Sequence, residues 1–264
     1  MNQDISFAKI ENNIELAYQF INSNENQEKP LIVFLHEGLG SIAQWKDFPL
    51  ELCKKVNLEG FIYERQGYAN SSALTETRDE TYLENYALEE LPKLIKTLNL
   101  ENRKLILFGH SDGGSIAYIY AGKYPENIVG IITEAAHVFV EDITLNGISP
   151  VVDMFENWNL KEKLARYQKE KTEQIFYAWS DTWHKKQFKN WNIEHYLSPV
   201  TCPVLAIQGI DDEYGTELQV DKIINGVSGK AQKLMIPNCG HIPHFQQREI
   251  IIEESVKFLF EVVL

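Results

Sequence analysis

Short apolar runs alternate with amphipathic stretches along most of this 264-residue chain. Residues 5–10 and 14–20 alternate apolar and polar side chains, which predicts two antiparallel strands joined by Glu11-Asn12-Asn13. The polar run 22–29 predicts a surface loop. Residues 31–36, 61–64, 105–108, 128–133 and 204–208 are nearly continuous apolar runs, as strands covered on both faces require. Residues 232–236 predict one more strand. Between them, residues 79–98 place Leu83, Ala87, Leu91, Ile95 and Leu98 at helical spacing. Helices are also predicted over 45–56, 216–227 and 249–262. Strands separated by helices at this rhythm predict a doubly wound, mostly parallel sheet.

The rhythm breaks between residues 141 and 197. That window holds no convincing buried strand and several helical stretches, 159–176 among them. Four of the five tryptophans, Trp158, Trp179, Trp183 and Trp191, fall inside it. It carries eight Lys and Arg against nine Asp and Glu, so it is nearly neutral. The acidity of the chain therefore belongs to the remainder.

Chemistry concentrates at strand ends. Gly109-His110-Ser111-Asp112-Gly113-Gly114 sits between an apolar run and a helix-like stretch over 115–121. A Gly-x-Ser-x-Gly in that position is a nucleophile elbow, a turn so tight that only small residues fit beside the serine. A serine hydroxyl needs a base, and the base needs an acid to fix its tautomer. His241 follows the last predicted strand within Cys239-Gly240-His241-Ile242-Pro243-His244 and is the expected base, ahead of His244. Asp212, in Gly209-Ile210-Asp211-Asp212, is the expected acid; Asp211 and Glu134 are the alternatives. His110 is expected to pack behind the serine, and His184 and His195 to be ordinary residues of the helical window over 141–197.

The order Ser111, Asp212, His241 resembles that of the α/β-hydrolases, and the resemblance covers nearly the whole chain. Its further markers are Leu35-His36-Glu37-Gly38-Leu39-Gly40-Ser41 and Tyr63-Glu64-Arg65-Gln66-Gly67-Tyr68. The resemblance implies an eight-stranded sheet, with a core of residues 1–140 and 198–264. A helical cap, residues 141–197, would be inserted after the sixth strand. It implies a serine hydrolase that cleaves a small ester or thioester through an acyl-serine, with an oxyanion held by the N–H groups of Gly38 and Asp112. A carbon–carbon hydrolase, a lactonase or a small peptidase would use the same triad, and a ligand receptor would retain it unused. Dehalogenase chemistry on this fold needs an aspartate nucleophile, and Ser111 argues against it. His36 is expected to brace the oxyanion loop.

Glu37 departs from the glycine usual after His36 in this family. Two readings compete for it: an ion pair with Arg65 beneath the oxyanion loop, or a contact to a cationic substrate. His137 is read as a cap-hinge residue or a substrate contact. Trp158, Trp179 and Trp183 either line an apolar pocket or pack cap on core.

A formal net charge of −13 argues against binding nucleic acid or an anionic membrane surface. No signal peptide or apolar span is visible, so a cytoplasmic protein is expected. Cys53, Cys202 and Cys239 are odd in number and lack metal-type spacing, as reduced thiols would be, though Cys239 lies close enough to His241 for thiol-directed inhibition. No metal and no redox or nucleotide cofactor is implied. The expected partner is a small-molecule substrate, and the expected state a monomer or homodimer.

Overall fold

A computed structural model describes residues 4–11, 13–23 and 28–262. Residues 1–3, Asn12 of the predicted turn and residues 24–27 of the predicted polar loop lie outside these. The chain opens with β1 (Ser6–Glu11), β2 (Ile14–Ile21), β3 (Leu31–Leu35), α1 (Phe48–Val56) and β4 (Glu59–Tyr63). Then come α2 (Tyr82–Asn85), a π turn over Tyr86–Glu90, α3 (Leu91–Thr97), β5 (Leu105–His110), α4 (Asp112–Lys123) and β6 (Ile128–Glu134). The segment after β6 carries α5 (Asp142–Asn157), α6 (Leu160–Gln168) and α7 (Thr172–His184). The chain closes through β7 (Val204–Gly209), α8 (Glu217–Gly226), β8 (Ala231–Ile236), α9 (Pro243–Gln246) and α10 (Arg248–Val262).

The strands form one eight-stranded sheet in the order β1-β2-β4-β3-β5-β6-β7-β8. β1–β2 and β2–β4 pair antiparallel, and every other neighbouring pair is parallel. The central strands read as unbroken apolar runs because both faces are covered. Leu31, Val33, Leu35, Leu105 and Leu107 face one core with Leu91, Ile116 and Val220. Ile32, Phe34, Ile106 and Phe108 face the other with Phe48, Leu52 and Ile251. The parallel pairing puts the C-terminal ends of β3 to β8 at one edge of the sheet, where the loops leaving them converge.

Two helical expectations needed correction. The predicted helix over 159–176 is broken at Lys169, whose φ of +56° ends α6 before α7 begins. The stretch over 79–98 is helical but widens into a π turn before Pro92. Proline has no N–H for the carbonyl of Leu88, and the wide turn absorbs that missing bond.

Candidate active site

Ser111 sits between β5 and α4 with φ +53° and ψ −118°, a conformation that strains any residue with a side chain. The close approach explains the glycines around it. A Cβ on Gly113 would lie 1.9 Å from the carbonyl oxygen of Leu35, and one on Gly109 would lie 2.4 Å from that of Gly113. The turn thus presses α4 against β3 and lifts the hydroxyl above the sheet.

The Ser111 Oγ lies 2.9 Å from His241 Nε2, and His241 Nδ1 lies 2.9 and 3.0 Å from the two carboxylate oxygens of Asp212. A carboxylate only accepts, so Nδ1 carries the proton and Nε2 is free to take one from the serine. Asp212 is buried and held by two further donors, the Tyr214 N–H at 2.8 Å and the Gln208 amide at 2.6 Å. Burial opposes its charge, but His241 and the Tyr214 N–H outweigh that and keep its carboxyl below the ordinary range. Asp211 is exposed, and Glu134 bonds His244 Nδ1 at 2.6 Å, so neither alternative acid faces His241. His244 is likewise occupied away from Ser111.

Residues 36–41 form the loop beside the serine. Arg65 anchors it from below by donating to the carbonyls of His36 at 2.6 Å and Glu37 at 2.8 Å. The expected Arg65–Glu37 carboxylate pair is therefore not formed: the two loops do lie side by side, but the guanidinium fork takes two backbone carbonyls. Glu37 turns its carboxylate to His110 instead, at 3.7 Å. His36 braces the loop as expected, with Nδ1 2.8 Å from the Glu37 carbonyl and Nε2 accepting the Arg65 N–H at 3.4 Å. His110, behind the serine, reaches the His241 carbonyl through Nε2 at 2.7 Å.

A cavity of about 420 Å³ opens over these groups. Gly38, Ser111, Asp112 and His241 line its floor; Ile148, Met154, Leu160, Trp179 and Trp183 line its walls. A Cβ on Gly38 would lie 2.6 Å from the Trp179 ring and 3.3 Å from Asp112 Oδ2, so three elements meet there. Trp158 does not join them: it is 72% exposed and bonds Asp153 at the surface. Position 158 closes a helix whose apolar stripe faces inward elsewhere, a distinction that tryptophan content alone does not carry. His137 lines the cavity and also binds the Tyr214 carbonyl at 3.0 Å. Burial, then His241, lowers its basicity. Trp191 packs in the core, stacked on Phe188.

Several contributors carry no motif. Gln168, buried, donates to the carbonyls of Leu39 and Gly40 and accepts the Ala69 N–H at 2.9 Å, which pins α6 to the loop beside Ser111. Tyr82 donates to Asp112 Oδ2 at 2.8 Å and accepts from Trp183 Nε1 at 3.0 Å. Arg78 donates to the hydroxyls of Tyr68 and Tyr86, and Tyr68 donates in turn to the Gly38 carbonyl at 2.9 Å. Cys239 is buried, and burial followed by Glu134 and Asp212 pushes its thiol up to about 11, far from a reactive thiolate. Among the described residues, no cluster of His, Cys, Asp and Glu is arranged to hold a metal, and no helix is long and apolar enough to cross a membrane.

The chain is 22% identical to the proline iminopeptidase of Saccharolobus solfataricus, over 93% of this chain and 88% of that protein. It is 28% identical to the human serine hydrolase BPHL, over 92% of this chain and 82% of that protein. Among solved structures, a thermophilic esterase from Thermogutta terrifontis superposes with a TM-score of 0.74 at 18% identity, covering 99% of this chain and all of that one. The enol-lactonase from Burkholderia xenovorans LB400 gives 0.73 at 16% identity, covering 96% of this chain and all of that one. The family model of the alpha/beta hydrolase fold matches residues 30–187, more than half of the chain, and this protein belongs to that family.

Proposed function

We propose that this protein is a serine hydrolase that cleaves small esters or thioesters by acyl transfer. One observation carries the reading: Ser111 Oγ, His241 and Asp212 stand in an unbroken line of hydrogen bonds at the floor of a cavity. His241 Nε2 takes the Ser111 proton as Oγ attacks the substrate carbonyl, and Asp212 stabilises the imidazolium. The N–H groups of Gly38 and Asp112 meet the oxyanion, each worth roughly 3 kcal/mol of barrier. That of Asp112 opens α4 and so has no partner within its own helix. His241 returns the proton to the leaving oxygen or sulfur. It then deprotonates the water that attacks the acyl-serine and passes that proton to the departing Ser111 Oγ, which frees the acid. Residues 141–197 act as a cap whose Trp179 and Trp183 shape the acyl site.

The cavity volume suits a small molecule. Glu37, Asp112 and Glu213 line it and, among the described residues, no Lys or Arg does, which favours neutral or cationic substrates over anionic ones. The same carboxylates support a second reading, a small peptidase acting next to a free amine, and the iminopeptidase among the relatives agrees with it. A fluorophosphonate adduct mapped by mass spectrometry tests the nucleophile. An adduct at Ser41 or Ser115, or full activity in Ser111→Ala, refutes the mechanism. Rates on acyl p-nitrophenyl esters, thioesters and aminoacyl p-nitroanilides separate the two substrate readings.

A further inference from the structure

Glu37 folds back over its own loop, so that a Cβ on Gly40 would stand 2.3 Å from its Oε2 atom. There the carboxylate lies 3.7 Å from Nδ1 of His110, within ion-pair range and beyond a hydrogen bond. His110 ends β5, next to Ser111, and is buried. Its Nε2 faces the His241 carbonyl at 2.7 Å, and because a carbonyl only accepts, Nε2 carries a proton. Among the described residues, Nδ1 has no hydrogen-bond partner, and it faces an acceptor-only carboxylate. A bare lone pair there would be repelled and an N–H attracted, so both nitrogens hold protons.

The other groups around the ring agree. Glu134 approaches from the end of β6. His241 and His244 approach from the loop after β8 and from α9, with ring centroids 5.3 and 5.1 Å away, and uncharged Trp45 closes the remaining side at 6.5 Å. Burial pulls the basicity of His110 down, but Glu37, Glu134 and the His241 carbonyl outweigh it and hold it above the ordinary histidine range. Burial would raise the Glu37 carboxyl, yet the neighbouring His110 ring outweighs it and holds the carboxyl at about 2.

We propose that Glu37 and His110 form a charged strut that ties the loop carrying Gly38 to the loop carrying His241, so that turnover requires the second proton of His110. The inference rests on the acyl-transfer reading above. Both are positioning residues. When His110 loses its Nδ1 proton, Nε2–H stays on the His241 carbonyl and the bare Nδ1 meets an ionised carboxylate. Glu37 is then repelled, and the Gly38 loop loses its brace.

The test compares kcat/KM against pH on p-nitrophenyl acetate for wild type, Glu37→Gln and Glu37→Ala, beside ¹⁵N NMR of the imidazole rings. In the wild type, activity falls on the alkaline side together with the NMR signal of doubly protonated His110. Glu37→Gln offers an amide N–H to a neutral Nδ1. It gives a lower plateau without that fall, and the proton affinity of His110 drops roughly tenfold or more. Glu37→Ala lowers kcat by roughly 10- to 100-fold with little change in KM, the cost of misplaced groups. A singly protonated His110 in the wild type at pH 7, or an unchanged alkaline fall in Glu37→Gln, overturns the proposal. The NMR is repeated in Ser111→Ala. If fluorophosphonate does not label Ser111, the acyl-transfer reading falls, while the ring protonation still decides the strut.

Discussion

Asp212→Asn is the substitution whose cost the geometry sets most tightly. Three donors converge on the Asp212 carboxylate: His241 Nδ1, the Tyr214 N–H and the Gln208 amide. An asparagine must turn its NH₂ toward one of them. Turned toward Tyr214, it meets a fixed backbone N–H. Turned toward Gln208, it forces that amide to flip, and Gln208 then sets its oxygen against the Gly215 carbonyl it now bonds at 3.1 Å. Either way one buried polar group goes unsatisfied, at about 1–3 kcal/mol of stability. The catalytic loss is larger. Both carboxylate oxygens lie about equally close to Nδ1, so the NH₂ can donate to it and move the imidazole proton to Nε2. His241 then cannot accept from Ser111, and the expected loss is about 10⁴-fold in kcat/KM, equivalent to about 5.5 kcal/mol. Asp211→Asn is the control. Its side chain is exposed and its N–H bond to the Cys239 carbonyl is retained, so stability should stay within about 0.5 kcal/mol. Initial rates on a p-nitrophenyl ester and urea unfolding followed by tryptophan fluorescence measure both quantities. Equal losses in the two variants, or an Asp212→Asn enzyme within tenfold of wild type, would refute the reasoning.

Three further outcomes follow from particular contacts. Burial pushes the Glu90 carboxyl up to about 8, so the folded state keeps a proton that the unfolded chain releases at the ordinary carboxylate pKa. Stability from this group is full below the ordinary range and declines toward pH 8 by about 1.4 kcal/mol per pH unit, and Glu90→Gln should abolish that slope; a wild-type-minus-variant difference that stays flat from pH 5 to 8 would contradict it. Tyr82→Phe strips Asp112 of a donor and Trp183 of an acceptor, and should lose about 1–3 kcal/mol in urea unfolding; an unchanged midpoint would show that both groups find other partners. Trp179→Ala should change the ratio of kcat/KM between short and long acyl esters, whereas Trp158→Ala, at the surface, should leave that ratio alone. A shift in the second and none in the first would reverse the assignment.

The central strands and the residues that meet at Ser111 were legible because the same physics writes them into local sequence. A strand covered on both faces must be apolar throughout, and an elbow must carry small residues where Gly109 and Gly113 touch backbone. What was not legible depends on which atoms meet across the fold. Arg65 and Glu37 stand on neighbouring loops as expected, yet a guanidinium fork fits two backbone carbonyls as well as one carboxylate, and composition does not distinguish them. The π turn had a signal, Pro92, whose missing N–H must be absorbed within one turn. The break at Lys169 had none. It follows from Gln168 being drawn onto Leu39, Gly40 and Ala69, contacts more than ninety residues away in sequence. Trp158 falls in the same sequence window as Trp179 and Trp183, but its side chain lies at the surface.

Under the proposed acyl transfer, an oxyanion would develop in a site with Glu37, Asp112 and Glu213 along its cavity, and the surrounding hydrogen bonds offset those charges. The N–H of Gly38 belongs to the peptide unit whose oxygen is the Glu37 carbonyl. That oxygen accepts from Arg65 at 2.8 Å, from His36 at 2.8 Å and from the Gly40 N–H at 3.1 Å. Donors on the carbonyl side of a peptide draw electron density away from its N–H, and each bond of such a chain strengthens the next by about 10–30%. One of these donors is a full cation held out of water, where its field is weakly screened. The Asp112 N–H gains from the positive end of α4. Behind the loop, the buried guanidinium of Arg78 reaches the Gly38 carbonyl through the Tyr68 hydroxyl. The carboxylates therefore line the cavity, and the cations stand behind the peptide groups that would meet the proposed oxyanion. A neutral amide lies between the two layers, and it transmits the field of the guanidinium without presenting a cation that a carboxylate product could bind.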